Sequence, residues 1–333
     1  MGVQPKQRRT TAADVAKSVG LSRATVGFVL NDTPGQTIPE GTRQRVLAEA
    51  ARLGYRPHSA ARALASGRSQ LVMVVLPDWP MDFSLRRNIE EASLALDEAG
   101  YALITYTPHP TGAARPLWEV LQPDVVMSLQ PLSDEQIAGI RAAGISRIVP
   151  DPEAVVADQG WVEEGPRLQI AHLAAHGHRR ILFAGARDPR LADLVESRFR
   201  RASEAAVALS LEPLTRADVD HADSDVTDVL SSWRADGVTA VAAYNDDIAA
   251  TVVGAALRVG MAVPQDLAVI GHDDTPTASM VHPQLSTIRV DTAGLGRHMA
   301  ALALSAINGT APPAAGPEFT ATLIARASTG AQA

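Results

Sequence analysis

The sequence predicts a small all-α head followed by an α/β core of two doubly wound parallel-sheet subdomains, and three observations carry that expectation. Charge is divided unevenly: residues 1–69 hold 11 of the 30 Lys/Arg but only 4 of the 37 Asp/Glu, a balance of +7 that leaves −14 for the remainder of a chain at −7. Hydrophobic texture changes near residue 71, from short helical stretches to apolar runs alternating with longer amphipathic ones, which is how parallel strands covered by helices read. Length sets the number of units, because 333 residues suit two or three, each able to bury a core. With 46% apolar and 20% charged residues the composition is that of a globular protein. The absence of cysteine removes disulfides, thiolate metal sites and cysteine nucleophiles.

The head reads as three short helices. Thr11 followed by Asp14 has the spacing of a capping box, in which side-chain oxygens satisfy the orphan amides of a first turn, and Val15, Ala16 and Val19 supply an apolar stripe. Gly20 stops this helix. Ser22 caps a second, running through Val26, Val29 and Leu30 to Asn31. Pro39 at a first-turn position opens a third, with Val46, Leu47, Ala50 and Leu53 directed inward and Gly54 at its end. Pro57 then leads into His58–Ser66, an alanine-rich stretch whose largest apolar side chain is Leu64. It is shorter than the roughly 12–15 residues at which an isolated helix becomes marginal, so it is expected to be helical only when packed.

In the core, Leu71–Leu76, Ala102–Tyr106, Val125–Leu129, Ile181–Ala184, Val238–Ala243 and Leu267–Gly271 are the expected strands, with helices between most of them. Ligands on such sheets sit beyond the carboxyl ends of the strands, which singles out Asp78, Asn245 and Asp273.

A helix-turn-helix needs a small residue where its helices cross, a glycine in the turn, and apolar residues that fix a steep crossing so that the second helix protrudes into a major groove. Ala16, Gly20 and Val26, with Val15, Val19, Leu21 and Val29 apolar, meet every one of these needs. The alternative is an ordinary pair of helices in a small bundle. The +7 charge favours a polyanionic partner instead. The run from Thr11 to Arg68 contains Asp14-Val15-Ala16, Thr25-Val26, Val29-Leu30-Asn31, Thr42-Arg43-Gln44-Arg45-Val46, Leu53-Gly54-Tyr55-Arg56-Pro57 and Gly67-Arg68-Ser69. With these residues it resembles the head and hinge of LacI/GalR-family transcriptional regulators. The resemblance continues in Gly177-His178-Arg179-Arg180-Ile181, Asn245-Asp246, Gly271-His272-Asp273-Asp274 and Pro283-Gln284-Leu285-Ser286-Thr287-Ile288.

The resemblance implies a helix-turn-helix DNA-binding domain over 1–57, a hinge helix and linker over 58–69, and a periplasmic-binding-protein-like core over 70–333. In that core the N-lobe is expected at about 70–157 plus 286–309 and the C-lobe at about 158–285 plus 310–330. It also implies a homodimer on a pseudo-palindromic double-stranded operator, most simply as a repressor, under the control of a small-molecule effector held between the lobes. DNA contacts are implied for Thr11, Ser22, Arg23, Ala24, Thr25, Gly27, Phe28, Asn31, Thr42 and Tyr55, and for His58, Ala61 and Leu64 of the hinge, where a leucine wedges between base steps. Related chains commonly carry Ser-Arg where this one has Gly27-Phe28. Arg23 thus becomes the expected base reader, since a guanidinium can grip guanine O6 and N7 together, the alternative being a phosphate contact only; Phe28 either packs on a thymine methyl or faces the head core, and the core is favoured.

For the effector, Asp78, Trp79, Phe83, Val195, Asn245 and Asp273 are the implied contacts. Asp273 would accept hydroxyl hydrogen bonds beside Asn245, and Trp79 or Phe83 would form an aromatic wall. A gripping arginine four residues before Phe199 is replaced by Val195, unless Arg198 or Arg190 substitutes through a local shift. Such a site suits a sugar or another neutral polyhydroxylated ligand. The tail after Arg326 has no leucine heptad, which predicts a dimer rather than a helical tetramer.

Other classes fit less well. Gly20-Leu21-Ser22-Arg23-Ala24 imitates a nucleophile elbow but follows no strand, and no Walker loop or dinucleotide-binding glycine motif occurs, so neither catalysis nor a cofactor is expected. His172 and His176 stand i, i+4 near His178, with no acidic ligand at a zincin's spacing, so no metal is expected. Arg8-Arg9 could suggest export, but Asp14 and Lys17 interrupt the apolar segment it would need; a cytoplasmic location without membrane partners is expected. The alternative retained is a solute-binding protein of the transport type with the same core.

Overall fold

Three helices make the head: α1 (Ala12–Val19), α2 (Arg23–Leu30) and α3 (Glu40–Arg52). The capping box forms as the spacing predicts, and Gly20, at φ 70°, makes the left-handed turn that lets α2 cross α1. Val15, Ala16, Val26, Val29, Val46 and Ala50 are buried together, with Val19, Leu21, Leu30, Leu53 and Tyr55 packed around them. Two side chains differ from expectation. Leu47 is 47% exposed, because it lies one residue off the Val46–Ala50–Leu53 stripe. Phe28 is half-buried and outside this cluster, since the core face of α2 is set by Val26 and Val29. Pro39 sits one position earlier than expected, as the residue preceding α3.

In the computed structural model, residues 10–31, 35–55, 68–109, 112–153, 160–220, 226–313 and 321–330 are described. Beyond the head, the N-lobe runs β1 (Leu71–Val75), α4 (Phe83–Glu98), β2 (Ala102–Tyr106), α5 (Leu117–Leu121), β3 (Val125–Ser128), α6 (Asp134–Ala142) and β4 (Ile148–Val149). Its four strands are parallel in the order β2-β1-β3-β4. The C-lobe runs α7 (Gly160–Ala175), β5 (Ile181–Ala186), α8 (Ala192–Ala208), β6 (Thr215–Val219), α9 (Val226–Ala235), β7 (Ala240–Ala243), α10 (Asp246–Arg258), β8 (Ala268–Ile270) and α11 (Pro276–Met280). It repeats the pattern as β6-β5-β7-β8. Both sheets are covered on two faces: in β1, Val72 and Val74 pack with Leu85 and Leu96, whereas Met73 and Val75 pack with Trp118 and Ile140.

The last strands and helix tie the lobes. β9 (Thr287–Arg289) and β10 (Thr322–Ile324) pair antiparallel, and Ile288 is buried in the C-lobe core, so the chain returns to the N-lobe only after Arg289 rather than at residue 286. α12 (Thr292–Asn308) then lies along α4. The contact is close at Gly296, where a Cβ would fall 2.3 Å from the carbonyl oxygen of Asn88. Residues 326–329 rejoin the C-lobe through buried hydroxyls: Ser286 N donates to Ser328 Oγ at 2.8 Å, and His172 Nε2 meets Thr329 Oγ1 at 2.8 Å. Burial lowers the pKa of His172 to about 4, which keeps it neutral in this packing role. No helix among the described residues is long and apolar enough to cross a membrane.

Candidate functional site

Two places in the fold gather the residues singled out above. On the head, Ser22 Oγ accepts from Thr25 N at 3.1 Å and lies 2.8 Å from Thr25 Oγ1, so both side chains help fix the start of α2. Arg23 and Ala24, the first residues of the helix, are exposed, as are Thr11 and Asn31, while Gly27 and Thr42 are half-buried. Tyr55 packs against the head core. A helix start supplies unpaired amides and positive dipole, and Arg23 adds a guanidinium there. His58, Ala61 and Leu64 lie outside the described residues.

The second place is the cleft between the lobes, at the carboxyl ends of the strands. On the C-lobe side, Arg198 of α8 reaches Asp273, with Nη2 3.1 Å from Oδ1, and its Nη1 donates to the carbonyl of Tyr244. The guanidinium carbon also lies 4.6 Å from the centroid of the Tyr244 ring. The pair is largely withdrawn from water, with side chains 19% and 8% exposed. Burial alone would raise the Asp273 pKa, but Arg198 and His272 outweigh it and hold the carboxyl well below its usual range. Burial also pushes the Tyr244 hydroxyl up to about 12. Asp273 and Asp274 both have positive φ, 96° and 46°, in the turn after β8. Asp274 anchors this turn through Arg326 Nη2 at 2.7 Å and Arg289 Nη2 at 2.6 Å.

On the N-lobe side, Asp82 caps α4, its Oδ1 accepting from Leu85 N at 2.8 Å. Burial raises its pKa, and the charge of Asp273 across the cleft adds to the rise. Phe83 and Arg87 line a cavity of about 400 Å³ with Asp273, Asp274, Arg289 and Val290. Asp246 is buried beneath the cleft, with Oδ2 accepting from Thr275 N and Oδ1 from Thr287 Oγ1, each at 2.6 Å. Burial pushes its pKa up to about 7.

Of the six implied effector residues, Asp273 and Phe83 thus meet at this cavity. Asn245 stands at the neighbouring strand end, but its Oδ1 accepts from Ile248 N at 2.9 Å as the cap of α10. Trp79 is half-buried against the N-lobe core, and Asp78 is exposed. Val195 must be withdrawn from the site: it is fully buried among C-lobe side chains, against Gly185. The guanidinium comes from Arg198 instead, three residues on and next to Phe199, while Arg190 pairs with Asp188 at 2.6 Å. Asp82, Tyr244 and Asp246 were not singled out as site residues. The cap spacing from Asp82 to Leu85 was the one local signal that could have drawn attention to the first.

A helix-turn-helix head joined to two parallel-sheet lobes with a buried ion pair at their cleft defines a transcriptional regulator of the two-lobed class. Residues 11–58 match the bacterial regulatory proteins of the lacI family, and residues 170–329 match the periplasmic binding protein-like domain. The chain is 32% identical to the HTH-type transcriptional regulator GalS of Salmonella typhimurium, over 95% of each. It is also 32% identical to the ribose operon repressor of Bacillus subtilis, over 89% of this chain and 91% of that one. In fold it resembles the Lac repressor dimer bound to operator and the anti-inducer ONPF, with a TM-score of 0.77 at 23% identity, covering 97% of this chain and 100% of that one. The chain belongs to the LacI family of bacterial regulatory proteins, and both of the relatives just named are transcriptional regulators.

Proposed function

We propose that this regulator is a repressor that binds a pseudo-palindromic operator in double-stranded DNA as a homodimer, in the cytoplasm, and that a small polyhydroxylated effector in the cleft controls its affinity. The observation that carries the reading is the buried Arg198–Asp273 pair facing Asp82 and Phe83 across the lobes, in the same chain as the exposed start of α2. A guanidinium beside carboxylates offers donors and acceptors together, which is what a polyol presents in return. Binding energy is then spent on lobe closure, which biases the state of the attached heads. The test is selection of operator fragments from genomic DNA by the full chain, followed by release or tightening with a saccharide panel. Failure to select any sequence would sink the DNA half of the reading.

Two outcomes are expected of single changes. Arg23→Ala should relax base preference at one symmetric position per half-site, by about 1–3 kcal/mol against the cognate base. A uniform loss over all sequences in a binding-selection assay would make Arg23 a phosphate contact instead. Asp273→Asn should weaken the effector response while sequence-specific binding without effector persists. An unchanged dose response in an operator-release assay would remove Asp273 from the site.

A further inference from the structure

Asp273 is held from two directions on one oxygen. Arg198 Nη2 donates to Oδ1 at 3.1 Å, and His272 Nδ1 lies 2.7 Å from the same atom. An ionised carboxylate can only accept, so the hydrogen in the second contact sits on Nδ1. Burial and the nearby Arg198 lower the pKa of His272 and hold the ring neutral, which leaves Nε2 without a hydrogen. This is the reverse of the tautomer that a free histidine side chain favours in water.

The seat of the ring is built into α7. Nε2 rests against Gly165, where a Cβ would fall only 2.1 Å from it and 2.9 Å from Cδ2. One turn on, the buried Gln169 donates from its amide to the carbonyls of Ala243 and Gly271, at 2.9 and 2.8 Å. That pins the ends of β7 and β8 to the same helix, immediately before Tyr244 and His272. The Asp273 backbone is fixed as well, its N–H donating to Ile288 O at 2.7 Å. Every support of this carboxylate thus comes from packed elements, and a side chain so supported offers a ligand one defined geometry.

We propose that His272 is a positioning residue for effector recognition: with Arg198 it occupies Asp273 Oδ1 and leaves Oδ2 as the acceptor presented to the cleft. The site thereby selects a ligand that brings a hydroxyl or amino hydrogen over one that brings a carbonyl or phosphate oxygen. This rests on the reading of the cleft as the effector site.

The first test needs no ligand. In the 15N-histidine-labelled full chain at pH 7, the His272 resonances, assigned by their loss in His272→Phe, should show a protonated Nδ1 and a bare Nε2. An Nε2–H tautomer would overturn the inference. The second test is calorimetric titration with D-galactose, D-ribose and cellobiose. His272→Phe should weaken the tightest of these about tenfold or more, while His272→Asn, whose amide can donate from nearly the same place, should return to within about threefold of the parent. Gly165→Ala, which displaces the ring, should match His272→Phe. Unchanged affinity in His272→Phe, or no recovery in His272→Asn when both variants unfold at the parent's temperature, would also overturn it. If none of the three saccharides binds the parent, the reading of the cleft as a saccharide site fails, and the tautomer decides this inference alone.

Discussion

Changing Arg198 to methionine is expected to destabilise the C-lobe by ~3–5 kcal/mol and to abolish the effector response. The reason is the asymmetry of buried ion pairs. Forming the Arg198–Asp273 pair gains little over an apolar contact, because both charges leave water, whereas removing one partner strands the other in a site that cannot solvate it. The same change frees the Tyr244 carbonyl that Arg198 Nη1 holds. Adding Asp273→Asn to Arg198→Met should recover most of the lost stability, since the stranded charge is gone, and the double-mutant cycle isolates the pair. The Asp273 pKa is depressed in the folded protein, so its contribution is present above its unfolded value near ~3.9 and is lost as pH falls further. Urea unfolding at pH 7 therefore reads the full effect. A loss below about 1 kcal/mol would mean that water solvates Asp273 without Arg198.

Asp246→Asn is expected to act in the opposite direction. Burial raises the Asp246 pKa from 3.8 to about 7, so the folded chain takes up a proton more readily than the unfolded one. The sign follows from linkage: stability is greatest below the unfolded pKa, falls as pH rises from ~4 to ~7, and levels off above, a loss of about 4 kcal/mol. The asparagine has no charge to bury. It keeps one acceptor for Thr275 N–H, and its amide can donate to Thr287 Oγ1 once that hydroxyl reverses. The variant should be the more stable protein at pH 8 and should lack the parent's slope between pH 4 and 7. Parallel stability curves for the two proteins over that range would show that Asp246 does not titrate there.

What could be read before the structure was whatever is encoded locally. Thr11 and Asp14, Gly20 and Ser22 act within one turn of chain, and each stands in its expected role. Six strands were legible from their apolar runs: five are mostly buried, as parallel strands covered on both faces are, and the edge strand β2 is only partly covered but still reads Ala-Leu-Ile-Thr-Tyr. β4 has two residues, β6 reads Thr-Arg-Ala-Asp-Val, and β9 and β10 have three residues each, too short or too polar to carry that signal. The cleft shows the same limit. Asp273 is legible from its strand-end position, but the spacing of four residues before Phe199 points to Val195, and whether Arg198 substitutes for the missing arginine is not written in that spacing. Only packing decides between them: Val195 fills the space over Gly185, while Phe199 packs on Phe183 with ring centroids 5.6 Å apart and Arg198 turns to the cleft. Asp82 and Asp246 acquire their properties from residues distant in the chain, which no local pattern carries.

Asp82 is both the cap of α4 and an N-lobe carboxylate whose charge is coupled to the Arg198–Asp273 pair. α4 has 16 residues and so extends about 24 Å from that cap. Along its flank, Gly296 brings the α12 backbone against that of α4 with no side chain between them, which ties the two helices as a single beam. A beam of that length works as a lever: a tilt of about 5° at the capped end carries the far end through about 2 Å. A ligand that moved Asp82 would thereby be felt as a displacement of about 2 Å at the opposite end of the helix.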